Sequence, residues 1–314
     1  MKRIILIMVN LLLLSQFSFA QINMEDSTVQ VIGYWDLGEV RTYSMLLENI
    51  SIKGEDTTFY GKTSYLVDME IMDSTELEYT VKWTYRDLKN SFGEGNESLE
   101  LVANRARDIE GGDVVIFKTN SYGAYKELVN WEQIRDYYKN VEAQLLVDFD
   151  TLANVNQLVS QMYGGMESQA QVQSSSTKDV IQFLNYHGAR YRLNEELTGT
   201  LKFPSLNGKA LIDGEMFVEL EEIFEEDNDF RIVSFVELNT DQLVTQTRDI
   251  LKTFLPAASE DEIDELMKQA GEITNTKEDV TIMHGWGWPI YSKETTRKTG
   301  NGLVNYEIRT IEIL

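Results

Sequence analysis

The sequence predicts an α+β protein in which helices pack on one face of antiparallel β-sheets. Three observations indicate this class: segments that alternate apolar and polar residues, turn motifs that join these segments, and separate stretches with helical apolar spacing. The order of strands, helix and strands recurs after the middle of the chain, which predicts two similar halves.

The clearest strand pair lies in the first half. Residues 65–71 and 79–85 each place large apolar side chains at alternate positions, and the turn sequence Asp73-Ser74-Thr75 stands between them. We therefore expect an antiparallel hairpin with Trp83 on its buried face. Further strands are predicted at 29–34, 40–47, 114–119 and 124–129, and helices at 96–106, 131–147 and 152–162.

The second half is predicted to contain two helices among its strands. The strands are expected at 191–203, 210–223, 230–238, 280–283, 289–294 and 303–313, and the helices at 240–251 and 259–270. Ser259 and Glu262 have the spacing of a capping box, which indicates where the last helix begins. The acidic run between Glu219 and Asp229 lacks the residue order of a calcium loop and is predicted to be a solvated hairpin tip.

The polar run 169–178 is predicted to be a linker between the halves. It is rich in serine and glutamine, as connecting segments often are. The expected organisation is a signal peptide at 1–20, a first α+β half at 21–168, the linker, and a second α+β half at 179–314.

The first twenty residues have the pattern of a secretory signal. Lys2 and Arg3 precede an apolar core too short for a bilayer span, and Ser18 and Ala20 are small residues at the positions a signal peptidase reads. The mature chain should begin at Gln21, be exported to the periplasm, cell surface or extracellular space, and contain no further membrane span.

Composition restricts the partners. The net charge is −24, so the chain repels the phosphates of nucleic acids, and its expected partner is a small molecule or an envelope protein. The chain has no cysteine, which excludes thiol catalysis and disulfides.

The sequence identifies no catalytic residue, metal site or cofactor. The two histidines, His187 and His284, are accompanied by neither a nucleophile elbow nor the short spacings of zinc ligands. His187, beside Gly188, is interpreted as structural.

One segment is the candidate for a ligand surface. His284, Trp286 and Trp288 alternate with glycines, and residues two apart on a strand share a face. They could form a platform for a sugar or another flat ligand, while the alternative is that the tryptophans close the end of the β-layer.

Several local motifs resemble uncharacterised secreted proteins common in Bacteroidota. These motifs are Tyr34-Trp35-Asp36-Leu37-Gly38, the segment from Asp73 to Trp83, and Thr119-Asn120-Ser121-Tyr122-Gly123. The resemblance covers much of the mature chain but is structural, and it implies no activity or functional residues.

The favoured function is a soluble, non-catalytic binding module of the cell envelope that holds an apolar ligand against its sheet. Two alternatives stay open: a glycan hydrolase that acts through two carboxylates, and a structural partner of an envelope complex. An apolar cavity would favour the binding module. Two inward carboxylates in a cleft would favour the hydrolase, and a flat exposed apolar patch would favour the structural partner.

Overall fold

A computed structural model describes residues 21–164, 166–204 and 211–314. The predicted signal peptide, including Ser18 and Ala20, lies outside the described residues. In the described part the strands are β1 Ile22–Asn23, β2 Thr28–Gln30, β3 Val40–Lys53, β4 Asp56–Ser74, β5 Glu78–Phe92, β6 Val114–Asn120, β7 Tyr125–Leu128, β8 Arg190–Arg192, β9 Glu196–Pro204, β10 Leu211–Phe224, β11 Asp229–Leu238, β12 Thr274–His284, β13 Pro289–Gly300 and β14 Leu303–Ile313. The helices are α1 Glu97–Arg107, α2 Trp131–Asp148, α3 Ala153–Tyr163, α4 Gln169–Ser176, α5 Lys178–Phe183, α6 Thr240–Phe254 and α7 Glu260–Ala270.

Eleven of these strands form one antiparallel sheet. Its order is β7-β6-β5-β4-β3-β14-β13-β12-β11-β10-β9, and β1, β2 and β8 form a separate small sheet. β3 pairs with β14 along its length, so strands from before and after the middle of the chain meet at the centre. The α+β class with antiparallel sheets and helices on one face is confirmed, while the division into two similar halves stays a prediction.

The predicted hairpin is formed by β4 and β5, which pair in antiparallel register. Val67, Met69 and Ile71 face the core with no exposed surface, as does Trp83 on the neighbouring strand. Phe183 of α5 packs edge-on against Trp83, with ring centroids 5.2 Å apart. The alternation of the two strands therefore predicted the buried face correctly.

The run predicted as a linker is helical instead. Residues 169–176 form α4, which begins with a capping box. Ser168 Oγ accepts a hydrogen bond from Gln171 N, and Gln171 Oε1 accepts one from Ser168 N. Val172 of α4 is fully buried in the core beneath the helix. A polar helix anchored by one apolar residue lacks the periodic stripe on which sequence interpretation depends.

Two other local predictions are confirmed. Ser259 and Glu262 form the predicted capping box at the start of α7. The acidic run ends in the turn between β10 and β11, and its tip at residues 225–228 is exposed.

Candidate functional site

The predicted ligand surface lies in the turn that joins β12 to β13. His284 N donates to Trp288 O at 2.8 Å and Gly287 N donates to His284 O at 2.8 Å, which closes the turn. A Cβ on Gly287 would lie 2.1 Å from the Ile32 carbonyl oxygen, so only glycine fits against that segment. Strand alternation therefore does not apply across these residues.

The turn separates the two indoles. Trp286 is 59% exposed and its ring contacts His284 edge-on, with centroids 5.2 Å apart. Trp288 is 3% exposed and packs in the core against Trp35 at 5.4 Å. The structure brings His284 and Trp286 together at the surface, and a ligand role for the three residues stays a prediction.

His187 is buried beside this turn. Its Nε2 lies 2.9 Å from Gly287 O, and its ring stacks on Phe183. Burial lowers the pKa of His187 to about 4, so the ring is neutral at neutral pH and Nε2 carries the proton that Gly287 O accepts. This histidine connects the turn to the core.

A second candidate site is a cleft of about 910 Å³ between the sheet and the helices. Five partly buried tyrosines line it: Tyr65 and Tyr85 on the sheet, and Tyr137, Tyr138 and Tyr163 on α2 and α3. The sheet pair has ring centroids 5.5 Å apart, and Tyr138 lies 5.7 Å from Tyr137 and 6.3 Å from Tyr163. We call this site the tyrosine cleft.

Burial raises the pKa of all five tyrosine hydroxyls above the ordinary value of 10. They are therefore protonated at neutral pH and can donate hydrogen bonds. The charged side chains that line the tyrosine cleft balance, with four basic and four acidic residues: Arg86, Arg107, Lys178, Arg309, Asp87, Asp113, Asp179 and Glu307. The cleft thus offers aromatic surface and hydroxyl groups without a net charge.

The floor of the tyrosine cleft is a buried polar cluster. Tyr65 OH donates to Asp179 Oδ2 at 2.6 Å and Tyr85 OH donates to the same oxygen at 3.4 Å. Arg309 Nε lies 3.0 Å from Asp179 Oδ1 without the alignment of a hydrogen bond, and Arg309 Nη2 donates to Glu307 at 2.8 Å. Arg309 therefore engages both carboxylates, Asp179 and Glu307.

The cluster continues through the core as a chain of hydrogen bonds. Gln182 Nε2 donates to Arg309 O at 3.2 Å and to Ser292 Oγ at 2.9 Å. Ser292 Oγ donates to Asp279 Oδ2 at 3.2 Å, and Tyr186 OH donates to Asp279 Oδ1 at 2.6 Å. Burial raises the pKa of Asp279 to about 6, but the residue is only 1% exposed and is closed to a substrate.

A second cleft, of about 840 Å³, adjoins the tyrosine cleft along α4 and α5. Lys178, Glu307 and Arg309 line both clefts, and Ala170 of α4 lines only the second. Lys277, which lies in the second cleft, donates to Glu294 at 2.7 Å. We call this second cleft the polar cleft.

Within the ranges that the structure describes, no group of three or more histidine or acidic side chains is arranged to hold a metal ion. No helix in the same ranges is both long and apolar enough to cross a membrane.

In the sequence analysis, Tyr65 and Tyr85 fall in predicted strands and Tyr138 in a predicted helix, and none of the cleft tyrosines is a candidate site residue. Their helical or alternating spacing is the same for a core position and for a cleft wall, so periodicity alone does not separate the two. The sequence contains fifteen tyrosines, but this number does not show which of them line a cleft.

Comparisons with known proteins give little. No protein-family model matches the sequence, and no curated protein matches it. The chain is similar to a structure described as lipid-protein interactions in lipovitellin, at 12% identity and a TM-score of 0.41, over 89% of this chain and 25% of that one. It is also similar to an outer membrane channel from Pseudomonas putida F1, at 5% identity and a TM-score of 0.16, over 93% of this chain and 100% of that one. The chain spans a quarter of the length of lipovitellin, and at these TM-scores neither likeness carries an argument.

Proposed function

We propose that this protein is a non-catalytic binding module whose tyrosine cleft holds an uncharged small molecule with broad apolar faces. The observation that carries the proposal is the pairing of aromatic walls on both sides of one cleft, Tyr65 and Tyr85 against Tyr137, Tyr138 and Tyr163. Ligand sites in proteins are concave, mostly apolar, and contain a few placed polar groups.

The charges of the cleft define the class of ligand. Because its basic and acidic side chains balance while the chain as a whole carries −24, an anionic ligand gains no net attraction and meets long-range repulsion. Asp179 and Glu307 are held by Arg309, which favours binding over carboxylate catalysis. The expected site of action is outside the cytoplasm, as the first twenty residues suggest.

The test uses the neutral fluorescent probe N-phenylnaphthylamine and two matched variants. Ala103 of α1 lines the tyrosine cleft, whereas Ala170 of α4 lines the polar cleft. Ala103→Trp should fill the tyrosine cleft and weaken probe binding by at least about tenfold, which corresponds to about 1.4 kcal/mol. Ala170→Trp should bind the probe as the wild type does.

A sulfonated form of the same probe, anilinonaphthalenesulfonate, measures the charge preference and should bind more weakly than the neutral form. Absence of saturable binding by the wild type would refute the proposal. So would equal binding by the wild type and Ala103→Trp, with both folds verified by circular dichroism.

A further inference from the structure

The two edges of the large sheet differ. β7 is four residues long, is joined to β6 through a register shift, and is followed at once by α2. β9 is nine residues long, and its residues 196–202 are all exposed. A long exposed edge carries a row of free backbone N–H and C=O groups, which is a template for another strand.

The sequence of this edge is nearly symmetric about its centre. Residues 196–202 read Glu-Leu-Thr-Gly-Thr-Leu-Lys, so Leu197 and Leu201, and then Thr198 and Thr200, stand at equal distances from Gly199. Only the two ends differ, and they carry opposite charges.

This symmetry suits antiparallel pairing with an identical strand. With a twofold axis at Gly199, each Leu197 would lie opposite the other copy's Leu201, and each Glu196 opposite the other copy's Lys202. Directly opposed residues of antiparallel strands project on the same face, so the leucine pairs share one face and the charge pairs the other. Leu197 and Leu201 are 39% and 41% exposed and would be covered by one another.

The charges within one chain also indicate a missing cation at this edge. Glu196 lies directly opposite Glu219 of β10, and no basic side chain in the described ranges forms an ion pair with either carboxylate. At the other end of the edge, Lys202 pairs with Asp213. A lysine from a second strand would compensate the two adjacent glutamates.

We propose that two copies of this chain associate through the free edges of β9, antiparallel and centred on Gly199, into one continuous sheet. Backbone hydrogen bonds along the edge supply the attraction, as in other strand-addition interfaces. The Glu196–Lys202 pairs at both ends favour this register, because a register shifted by two residues leaves these charges unpaired. A shift by one residue would place the leucines of the two copies on opposite faces of the sheet.

The test uses sedimentation velocity over a range of concentrations and a pair of complementary charge variants. Glu196→Lys and Lys202→Glu each place like charges at both ends of the interface, so each variant alone should be monomeric. An equimolar mixture of the two variants restores both opposite-charge pairs and should form a dimer, as the wild type does. Glu76→Lys, an exposed change in the turn between β4 and β5, controls for net charge and should stay dimeric.

Glu196→Lys is the safer variant for folding, because its new cation faces Glu219 of the same chain, and melting curves verify both folds. A wild type that stays monomeric at every concentration overturns the proposal. Dimers that persist in both single variants would also overturn the proposal, and so would a mixture that stays monomeric. Either result would mean that any association uses another surface or another register.

Discussion

Arg309 Nε lies 3.0 Å from Asp179 Oδ1, and both side chains are almost fully buried. The pair joins α5 to β14, the strand at the centre of the large sheet, and Tyr65 and Tyr85 donate to the same carboxylate. The floor of the tyrosine cleft is therefore set by an ion pair that connects the helical layer to the sheet. Removing one member of such a pair leaves a buried charge without compensation.

Arg309→Met should lower the free energy of unfolding by about 3–5 kcal/mol, because it leaves the Asp179 carboxylate unpaired in the core. The matched control is Arg86→Met, which removes a partly exposed ion pair with Asp68 and should cost about 0–1 kcal/mol. Urea denaturation of both variants at neutral pH measures the difference. Equal losses would mean that the buried pair contributes no more than a surface pair.

Trp288→Ala should cost about 3–5 kcal/mol, because it removes a buried indole that packs against Trp35. Trp286→Ala should change stability by no more than about 0.5 kcal/mol, because the ring is mostly exposed. Urea denaturation, with acrylamide quenching of each single variant, separates the two residues. A large loss of stability from Trp286→Ala would contradict the surface position of this indole.

The strand pattern could be predicted from sequence because one face of each strand is buried. The alternation around Val67, Met69 and Trp83 predicted both the hairpin and its buried face. The pairing of β3 with β14 could not be predicted, because local periodicity carries no information on which distant strands become neighbours. The helix α4 was missed because its polar sequence has the composition of a loop.

The candidate site was harder to predict than the fold. The walls of the tyrosine cleft come from separate segments, such as Tyr65 and Tyr163, and meet only through tertiary packing. The same holds for Asp179 and Arg309, which are distant in sequence. For Trp286 and Trp288, the parity argument assumed an extended strand where the structure has a turn.

Asp279→Asn should remove a dependence of stability on pH. Burial raises the pKa of Asp279 to about 6 from 3.8, so its contribution is fully present below pH 3.8 and is lost as pH rises through 6. The shift corresponds to about 3 kcal/mol. The stability of the wild type relative to the variant should therefore fall by that amount between about pH 4 and 7, as measured by urea denaturation. A constant difference across this range would show that the carboxyl does not titrate as expected.

His187→Gln should remove a pH dependence of the opposite sign, a loss of stability as pH falls. Burial lowers the pKa of His187 to about 4 from 6.5, so its contribution is present above pH 6.5 and is lost as pH falls through 4. Glutamine can still donate to Gly287 O but does not gain a proton, so the variant should lose about 3 kcal/mol less than the wild type on acidification. Thermal melts between about pH 7 and 4 measure this. If the wild type and the variant lose stability in parallel, the histidine is not a source of acid lability.

Gly112→Ala tests the wall of the tyrosine cleft through the backbone behind it. Gly112 has a φ of +74°, and a Cβ there would lie 2.1 Å from Cε1 of the Tyr137 ring, so alanine must displace that ring. Gly54→Ala is the matched control, because Gly54 has a φ of +64° and no atom within 4 Å of the added Cβ. Both variants should lose roughly 1–2 kcal/mol of stability from the left-handed backbone, and Gly112→Ala should lose more because the Tyr137 ring must move. Only Gly112→Ala should also weaken N-phenylnaphthylamine binding, by about the 0.5–1.5 kcal/mol of one aromatic contact.

Fluorescence titration and urea denaturation of the same samples separate the loss of probe binding from the loss of stability. Unchanged probe binding by Gly112→Ala would remove Tyr137 from the ligand surface, and weaker binding by Gly54→Ala would trace the effect to general loss of stability.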